Sequence, residues 1–368
     1  EQNITTMHFV PSMLRVFLEE ISTGDCSSLR RVICSGEALQ VDHVNLFKEK
    51  LPNVELHNLY GPTEAAIDVS YWSVPLEEPI SKVLIGRPVA NTSLYVLNDS
   101  MNLVPLGVAG ELCIGGVQVA RGYYNKAALT EEKFISNPFK EGERLYRTGD
   151  LAKWLPDGNI EYVGRKDNQV KIRGYRIELG EIENALSNLS MVTQSCVLAK
   201  EDSIGSKRLV GYVVLEEALD LDKEALQLEL KEVLPDYMVP TLWIALEEMP
   251  LTVNGKLDRK ALPEPDGTML STRTYIAPRN EIEEQLVTIW QKLLGVEKIG
   301  VHDNFFELGG HSLLATRLVS MINKELEIEV EIVDIFEFDC IEQLANYIGV
   351  ISLNKIENED EYVTTINI

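Results

Sequence analysis

The sequence predicts an α/β protein built in sections and closed by an all-helical one. Three patterns carry that reading. Apolar β-type runs alternate with helix-periodic runs over residues 4–60. A strand, helix, two strands, helix and strand follow one another between 169 and 248. Beyond a stretch bearing prolines, glycine and small polar residues (262–274) the pattern turns helical.

In the first section TTMHFV, RRVICSG and VELHNLYG read as strands, with PSMLRVFLEEI and LQVDHVNLFKEK as the helices between them. Alternating strands and helices imply a largely parallel sheet. A sheet that opens this abruptly is expected to lack earlier strands. Residues 80–165 change to short strands separated by glycine-bearing turns, among them LYVLND, GELCIGG and GNIEYVG. After Arg165 come the strand QVKIRG, the helix GEIENALSNL and the strands SCVLAK and LVGYVVLE. A helix from Asp222 to Leu234 and the strand TLWIALEE complete a β-α-β-β-α-β order that suits a small separate domain. In NEIEEQLVTIWQKLLG the residues Ile282, Leu286, Ile289, Trp290 and Leu293 share one helical face. Asn280 with Glu283 forms a capping pair there, and Gly295 sits where a C-cap belongs. Further helices at 313–323 and in IEQLANYIG make a small bundle of three or four helices.

With 368 residues the chain has room for two or three domains, each with a core. A net charge of -24 and a pI near 4.7 argue against a nucleic-acid or anionic-membrane surface. The five cysteines form no CxxC pair, which favours free thiols in a reducing compartment and a cytoplasmic protein. There is no apolar run of membrane-spanning length and no signal-like opening segment. The start at Glu1 suggests a piece of something longer.

Several motifs can carry chemistry, and each also has a plainer reading. NLYGPTEAA (58–66) joins the end of a strand to a Gly-Pro turn bearing Thr63 and Glu64, which suit a phosphate and a hard cation such as Mg²⁺. The plainer reading is a turn with a solvated glutamate. YRTGDLAKW (146–154) sets Asp150 after a glycine turn, either to accept ribose hydroxyls or as an ordinary turn aspartate. GRKDNQVKIRGYRIELGEIE (164–183) packs Arg165, Lys166, Lys171, Arg173 and Arg176 into an acidic protein, as a polyanionic ligand such as ATP requires. Solvated strand faces are the alternative. Lys256 follows a turn in NGKLDRKAL and, alone, is a surface lysine. Ser312, in FFELGGHSLLATRL, suits a helix cap, a hydrolytic nucleophile or an attachment point. A Ser-His hydrolase ranks last, because GGHSLL lacks the glycine after serine that a G-x-S-x-G elbow needs.

Taken in order and spacing, NLYGPTE, GELCIGGVQVARGYY, YRTGDL, GRKDNQVKIRGYRIELGEIE, LPDYMVP, NGKLDR and LGGHS resemble one family along essentially the whole chain. The chain is similar to the adenylation domain of nonribosomal peptide synthetases, within the adenylate-forming superfamily, followed by a peptidyl carrier (thiolation) domain. The resemblance implies a partial large subdomain with a mixed α/β sheet and a β region at 1–166, its N-terminal part missing. It implies a small mobile α+β subdomain at 167–262, a linker at 263–278, a four-helix carrier at 279–352 and a polar linker at 353–368.

The same resemblance implies roles for single residues. Asn58 and Tyr60 would contact adenine, with Gly36 also at the nucleotide, Thr63 at phosphate and Glu64 on Mg²⁺. Asp150 would take the ribose hydroxyls, with Arg165 and Lys171 on ribose or phosphate. Asp167 would be the hinge, and Lys256 the catalytic lysine brought in by the mobile subdomain. His8, Ile33, Ser35, Leu59, Ile67, Asp68 and Lys256 match the lining of the amino acid pocket. That set resembles a serine-activating pattern with threonine as the minor substrate.

Ser312 would carry a covalent 4'-phosphopantetheine arm, with Gly309 and Gly310 leaving room for a phosphopantetheinyl transferase. The phosphodiester would gain from the helix N-terminus. The family's glycine- and Ser/Thr-rich phosphate loop and the segment gripping the substrate's amino group are absent, so residues 1–368 alone are expected not to adenylate. Expected partners are neighbouring synthetase domains, a condensation domain among them, and an MbtH-like protein. The setting would be antibiotic biosynthesis within secondary metabolism. The competing readings are an acyl-CoA or aryl-acid ligase and a non-catalytic carrier module.

Overall fold

The computed structural model describes residues 3–22, 24–75, 77–172, 174–201, 207–216, 221–264 and 275–352. Arg173, most of the expected linker at 263–278 and the polar segment 353–368 lie outside them. The chain divides after Ile177 into two compact units. Residues 167–177, expected at the head of the small subdomain, are compact with the first.

The first unit opens with β1 (Thr6–Phe9), α1 (Pro11–Glu20), β2 (Arg31–Cys34), α2 (Val41–Lys50) and β3 (Glu55–Tyr60). Pro11 starts α1 where its missing N–H costs nothing, and Leu14 and Leu18 bury the inner face completely. Val44 and Phe47 do the same for α2, and both helices pack on Val32, Cys34 and Leu56 of the sheet. β1, β2 and β3 run parallel, His8 pairing with Ile33 and Ile33 with His57. Their carboxyl ends therefore share one edge, where the turns after β2 and β3 meet. The antiparallel β4 (Ser70–Ser73) and β5 (Arg87–Pro88) extend the sheet on one side.

A second, antiparallel sheet holds β6 (Thr92–Leu97), β7 (Gly110–Gly116), β8 (Phe134–Ser136), β9 (Arg144–Trp154) and β10 (Ile160–Arg165), with α3 (Ala127–Lys133) leading into β8. The order is β10-β9-β7-β6, and β8 also pairs with β9. TGD, expected at a glycine turn, lies inside the eleven-residue β9. Burial on both sides of the motif keeps the strand going, with Leu145, Tyr146 and Ala152 essentially inaccessible. The register shifts between Tyr162 and Gly164, and this irregularity brings Arg165 directly opposite Asp150.

A short hairpin, β11 (Val170–Ile172) and β12 (Tyr175–Ile177), ends the first unit. Its first strand was expected to open the small α+β sheet. Instead the turn at Gly174 (φ +79°) folds the chain back at once, so the strand pairs with its immediate successor.

In the second unit α4 (Leu179–Ser187), β13 (Val192–Glu201), β14 (Lys207–Leu215), α5 (Lys223–Lys231) and β15 (Leu242–Ala245) form an α+β layer with the order β13-β14-β15. The helical section contains α6 (Glu281–Leu294), α7 (Ser312–Leu326), α8 (Ile332–Glu337) and α9 over 341–352. Leu286, Ile289, Trp290 and Leu293 are buried as their spacing predicts, and Trp290 meets Phe305 edge-on at 5.1 Å. The Glu283 N–H donates to the Asn280 side chain at 2.9 Å, and Gly295 closes α6 at φ +68°. Among the described residues no helix is long and apolar enough to cross a membrane.

Replacing Asn280 by Ala removes one acceptor from the start of α6. It should lower stability by about 1 kcal/mol and shift the urea transition reported by Trp290 fluorescence, with α6 itself retained. A change within error would mean that the cap contributes nothing.

Candidate functional site

At the shared edge of the first unit lies an open cleft of about 290 Å³. Ser35 and Gly36 follow β2, and Tyr60, Thr63, Ile67 and Asp68 end or follow β3. Thr148 and Asp150 come from β9, Arg165 from the end of β10, and Lys171, Gly174 and Arg176 from the hairpin, with Gln169 just before it. Five separate chain segments thus place polar groups around one space.

Asp150 is buried and doubly held. The Tyr60 hydroxyl donates to one oxygen, and Arg165 Nη1 donates to the other at 2.6 Å. Arg165 also forks onto Asp167, at 2.6 Å from Nε and 2.7 Å from Nη2. Gly149 makes that fork possible, because a Cβ there would stand 2.8 Å from Arg165 Nη2 and 2.9 Å from Asp167 Oδ2. Burial alone would raise the Asp167 carboxyl, but Arg165 brings it below its ordinary value. Burial lowers the Lys171 amine, partly offset by Asp150. The cleft therefore combines a fixed acceptor, Asp150, with cationic groups suited to a polyanion.

Glu64 sits beside the cleft and is held by two partners. Arg176 Nη1 donates to both of its oxygens, at 3.0 and 2.8 Å, and the Tyr123 hydroxyl donates to Oε1 at 2.7 Å. Burial would raise this carboxyl, yet Tyr123 and Arg176 hold it below its ordinary value. A magnesium ion needs only one or two carboxylates beside phosphate oxygens and waters. Glu64 is of the right type, but in this arrangement Arg176 already occupies it. No cluster of three or more His, Cys, Asp or Glu suited to a metal occurs among the described residues.

His8 Nε2 and Ser35 Oγ are hydrogen-bonded at 2.8 Å across β1 and the end of β2. Asp68 Oδ1 is buried and has no hydrogen-bond partner among the described residues, and burial raises its carboxyl against the pull of His8 and Lys171. Ile67, β-branched and at φ +77°, is held in a strained left-handed conformation and stays exposed at the cleft. Ile33 and Leu59 lie half-buried on their strands. Asn58 is buried, its Nδ2 donating to the Leu84 carbonyl at 2.8 Å, and its Oδ1 has no partner among the described residues. Asn58, Ile33, Leu59 and His8 thus lie outside the immediate lining.

Lys256 and Ser312 belong to the second unit. Lys256 is exposed at a tight turn closed by the Thr252 N–H donating to the Lys256 carbonyl at 2.7 Å. Ser312 is the exposed first residue of α7, and the cap is its neighbour. The Leu314 N–H donates to His311 Nδ1 at 3.3 Å, so Ser312 keeps its hydroxyl free of that duty. Of the two preceding glycines, Gly310 is needed for close packing. A Cβ on Gly310 would stand 2.4 Å from the Phe305 ring, and one on Gly309 would stand 2.6 Å from an Arg208 nitrogen.

Arg176, Gln169, Thr148 and Tyr123 hold the site together without having been singled out as site residues. Arg176 was visible only as part of the basic run, and Tyr123 only inside GELCIGGVQVARGYY. Their roles depend on partners 59 and 112 positions away in the chain. Cys34 and Cys113 offer no rival chemistry, since burial pushes both thiols up to about 12.

Because the folded-state Glu64 binds its proton less readily than an unfolded glutamate, the unfolded chain takes up more protons in acid. The stability from Glu64 is complete above the ordinary carboxylate range and is lost as pH falls through its lowered folded value. Melting temperatures between pH 3 and 7 should drop less steeply for Glu64→Gln than for the parent chain. Identical slopes would show that the Arg176 pair adds nothing.

Residues 1–124 match the family described as AMP-binding enzyme, 181–256 the AMP-binding enzyme C-terminal domain, and 284–348 the phosphopantetheine attachment site. Tyrocidine synthase 3 of Brevibacillus parabrevis is 48% identical over 345 residues, covering 94% of this chain and 5% of that protein. Gramicidin S synthase 2 of Aneurinibacillus migulanus is 49% identical over 349 residues, covering 94% and 8%. The chain thus spans a small fraction of the length of these relatives. Among solved structures, holo-PA1221, described as an NRPS protein containing adenylation and PCP domains, superposes with a TM-score of 0.75 at 28% identity, covering 94% of this chain and 57% of that one. In order and in kind, these matches agree with the cleft of the first unit and the exposed serine of the second. The chain belongs to the nonribosomal peptide synthetases of the adenylate-forming superfamily, with adenylation-domain sequence followed by a peptidyl carrier domain.

Proposed function

We propose that this chain is part of a module that activates an amino acid, serine in the first place, as aminoacyl-AMP and passes it to a thiol carried on Ser312. One observation supports this above the rest: Ser35, Gly36, Tyr60, Thr63, Ile67, Asp68, Asp150, Arg165 and Lys171 all line a single cleft. The substrate carboxylate attacks the α-phosphate of ATP, forming the acyl-phosphate bond while pyrophosphate leaves. Negative charge accumulates at phosphorus, so cations must be held there in advance. Asp150 accepts the ribose hydroxyls, kept in place by Tyr60 and Arg165. Lys171 and Thr63 face phosphate. Lys256, on its exposed turn, is the lysine delivered for adenylation when the subdomain after hinge Asp167 closes. Bound magnesium would supply charge neutralisation, with Glu64 as its carboxylate once Arg176 releases it.

Serine is favoured by the polar character of the pocket. The His8–Ser35 pair and the unpartnered Asp68 oxygen suit a small hydroxylated side chain. A site built to hydrogen-bond a hydroxyl rejects the analogue lacking it by a factor on the order of 10⁴. ATP–pyrophosphate exchange across amino acids, on a complete adenylation domain containing these residues, should rank serine first and threonine second. The Lys256→Ala form should lose exchange on the order of 100-fold or more, while transfer from supplied seryl-adenylate is largely kept. A large apolar or aromatic amino acid ranked first would reject the serine assignment, and equal loss in both half-reactions would reject the role of Lys256.

Ser312 fits a phosphopantetheine arm because its hydroxyl is exposed at the N-terminus of a fifteen-residue helix, where free N–H groups and the dipole favour a phosphodiester. The arm supplies the thiol that accepts the aminoacyl group. Residues 1–368, treated with a phosphopantetheinyl transferase and CoA, should gain the mass of one arm. Ser312→Ala should gain none. Loading by amino acid and ATP should not follow in this polypeptide alone. Modification elsewhere in the chain would overturn the attachment site.

A further inference from the structure

The Arg176–Glu64 pair joins two elements that the adenylation reading must be able to separate. Glu64 belongs to the turn after β3, and Arg176 to the β11–β12 hairpin, from which the chain passes at Ile177 into the second unit. Among the described residues, two carboxylates near the ends of the parallel strands hold the hairpin. The Gly174 N–H donates to Glu37 Oε1 at 2.8 Å, and Arg176 grips both oxygens of Glu64. Arg176 is aimed by further contacts, its Nε donating to Gln169 Oε1 at 2.7 Å and its Nη2 facing the Tyr146 hydroxyl at 3.4 Å.

We propose that Arg176 and a divalent cation compete for Glu64, which makes the hairpin a latch that opens when the metal–nucleotide complex binds. The inference rests on the adenylation reading and adds to it a positioning residue and a coupling. Glu64 Oε1 already accepts from both Tyr123 and Arg176, and Oε2 accepts from Arg176. A doubly charged ion bound to the same half-buried carboxylate would sit within a few ångströms of the guanidinium, at low local dielectric. The two cations repel, and the ion that also holds the phosphates displaces the arginine. Once Arg176 lets go, the hairpin loses its hold on the turn after β3 and keeps the Glu37 contact at its own turn. When the metal departs, Glu64 becomes an uncompensated half-buried charge, and re-pairing with Arg176 removes that cost. Occupancy of the metal site thus sets the position of the segment that links the units.

The test uses a complete adenylation–carrier module. Hydrogen exchange at amides 170–177 is followed without ligand, with magnesium alone, with β,γ-methylene ATP in EDTA, and with β,γ-methylene ATP plus magnesium. Calorimetric titration reports nucleotide binding in parallel. Exchange in the hairpin should rise several-fold only when nucleotide and magnesium are both present. Arg176→Gln should exchange rapidly in every condition and bind the magnesium–nucleotide complex several-fold more tightly than the parent. Arg176→Lys, with a single-point charge, should fall between them and also serves if the glutamine form unfolds. Tight binding of the complex with unchanged exchange at 170–177 overturns the latch and leaves the adenylation reading standing. An equal rise with metal-free nucleotide overturns the competition for Glu64. Failure of any nucleotide to bind removes the adenylation reading itself, and the latch with it.

Discussion

The cleft of the first unit depends on how partly buried guanidinium groups are answered by carboxylates. Arg165 lies between Asp150 and Asp167, and Arg176 lies on Glu64. Charges partly withdrawn from water cost less when they are paired and hydrogen-bonded. Each pair therefore fixes backbone as well as side chains: the Arg165 fork requires Gly149 beneath it, and Arg176 requires the hairpin to lie against the turn after β3. The pairing also leaves acceptor capacity on Asp150 for a ligand, since each carboxylate oxygen can accept more than one hydrogen bond.

Around those pairs the scaffold is conventional in its physics. Parallel β1 to β3, covered by α1 and α2, bring three strand ends to one edge, and the antiparallel second sheet supplies Asp150 from the middle of a long strand. A register irregularity in β10 turns a general adjacency into a specific one, Arg165 facing Asp150. The second unit follows a different economy of space. Its carrier section is a small bundle whose core is dominated by Trp290, Phe305 and leucines, and the chain before Ser312 packs closely on Phe305 at Gly310. The exposed serine is thus presented as the first residue of α7, with His311 as the cap.

Much of the chain was legible before any coordinates. Strands at 6–9, 31–34 and 55–60 and the helices between them follow directly from apolar spacing, and Asn280 and Gly295 marked both ends of α6. Departures occur where tertiary contacts override local signals. TGD reads as a turn because glycine precedes aspartate, yet burial on both sides keeps it within β9. QVKIRG reads as the first strand of the small sheet, but Gly174 turns it into a hairpin that ion pairing holds on the first unit. Gly310 reads as open space, and its Cβ position is taken up by the Phe305 ring.

By itself the sequence determined the elements, the order of the sections and the chemical types gathered in NLYGPTE, TGD, the basic run and LGGHS, because periodicity and turn chemistry are local properties. Only the tertiary structure decided which of those groups touch. That Glu64 is held by Arg176, 112 residues later, and Asp150 by Tyr60, 90 residues earlier, follows from sheet register and strand direction. Those are set by packing over the whole unit, and no short window of sequence contains them.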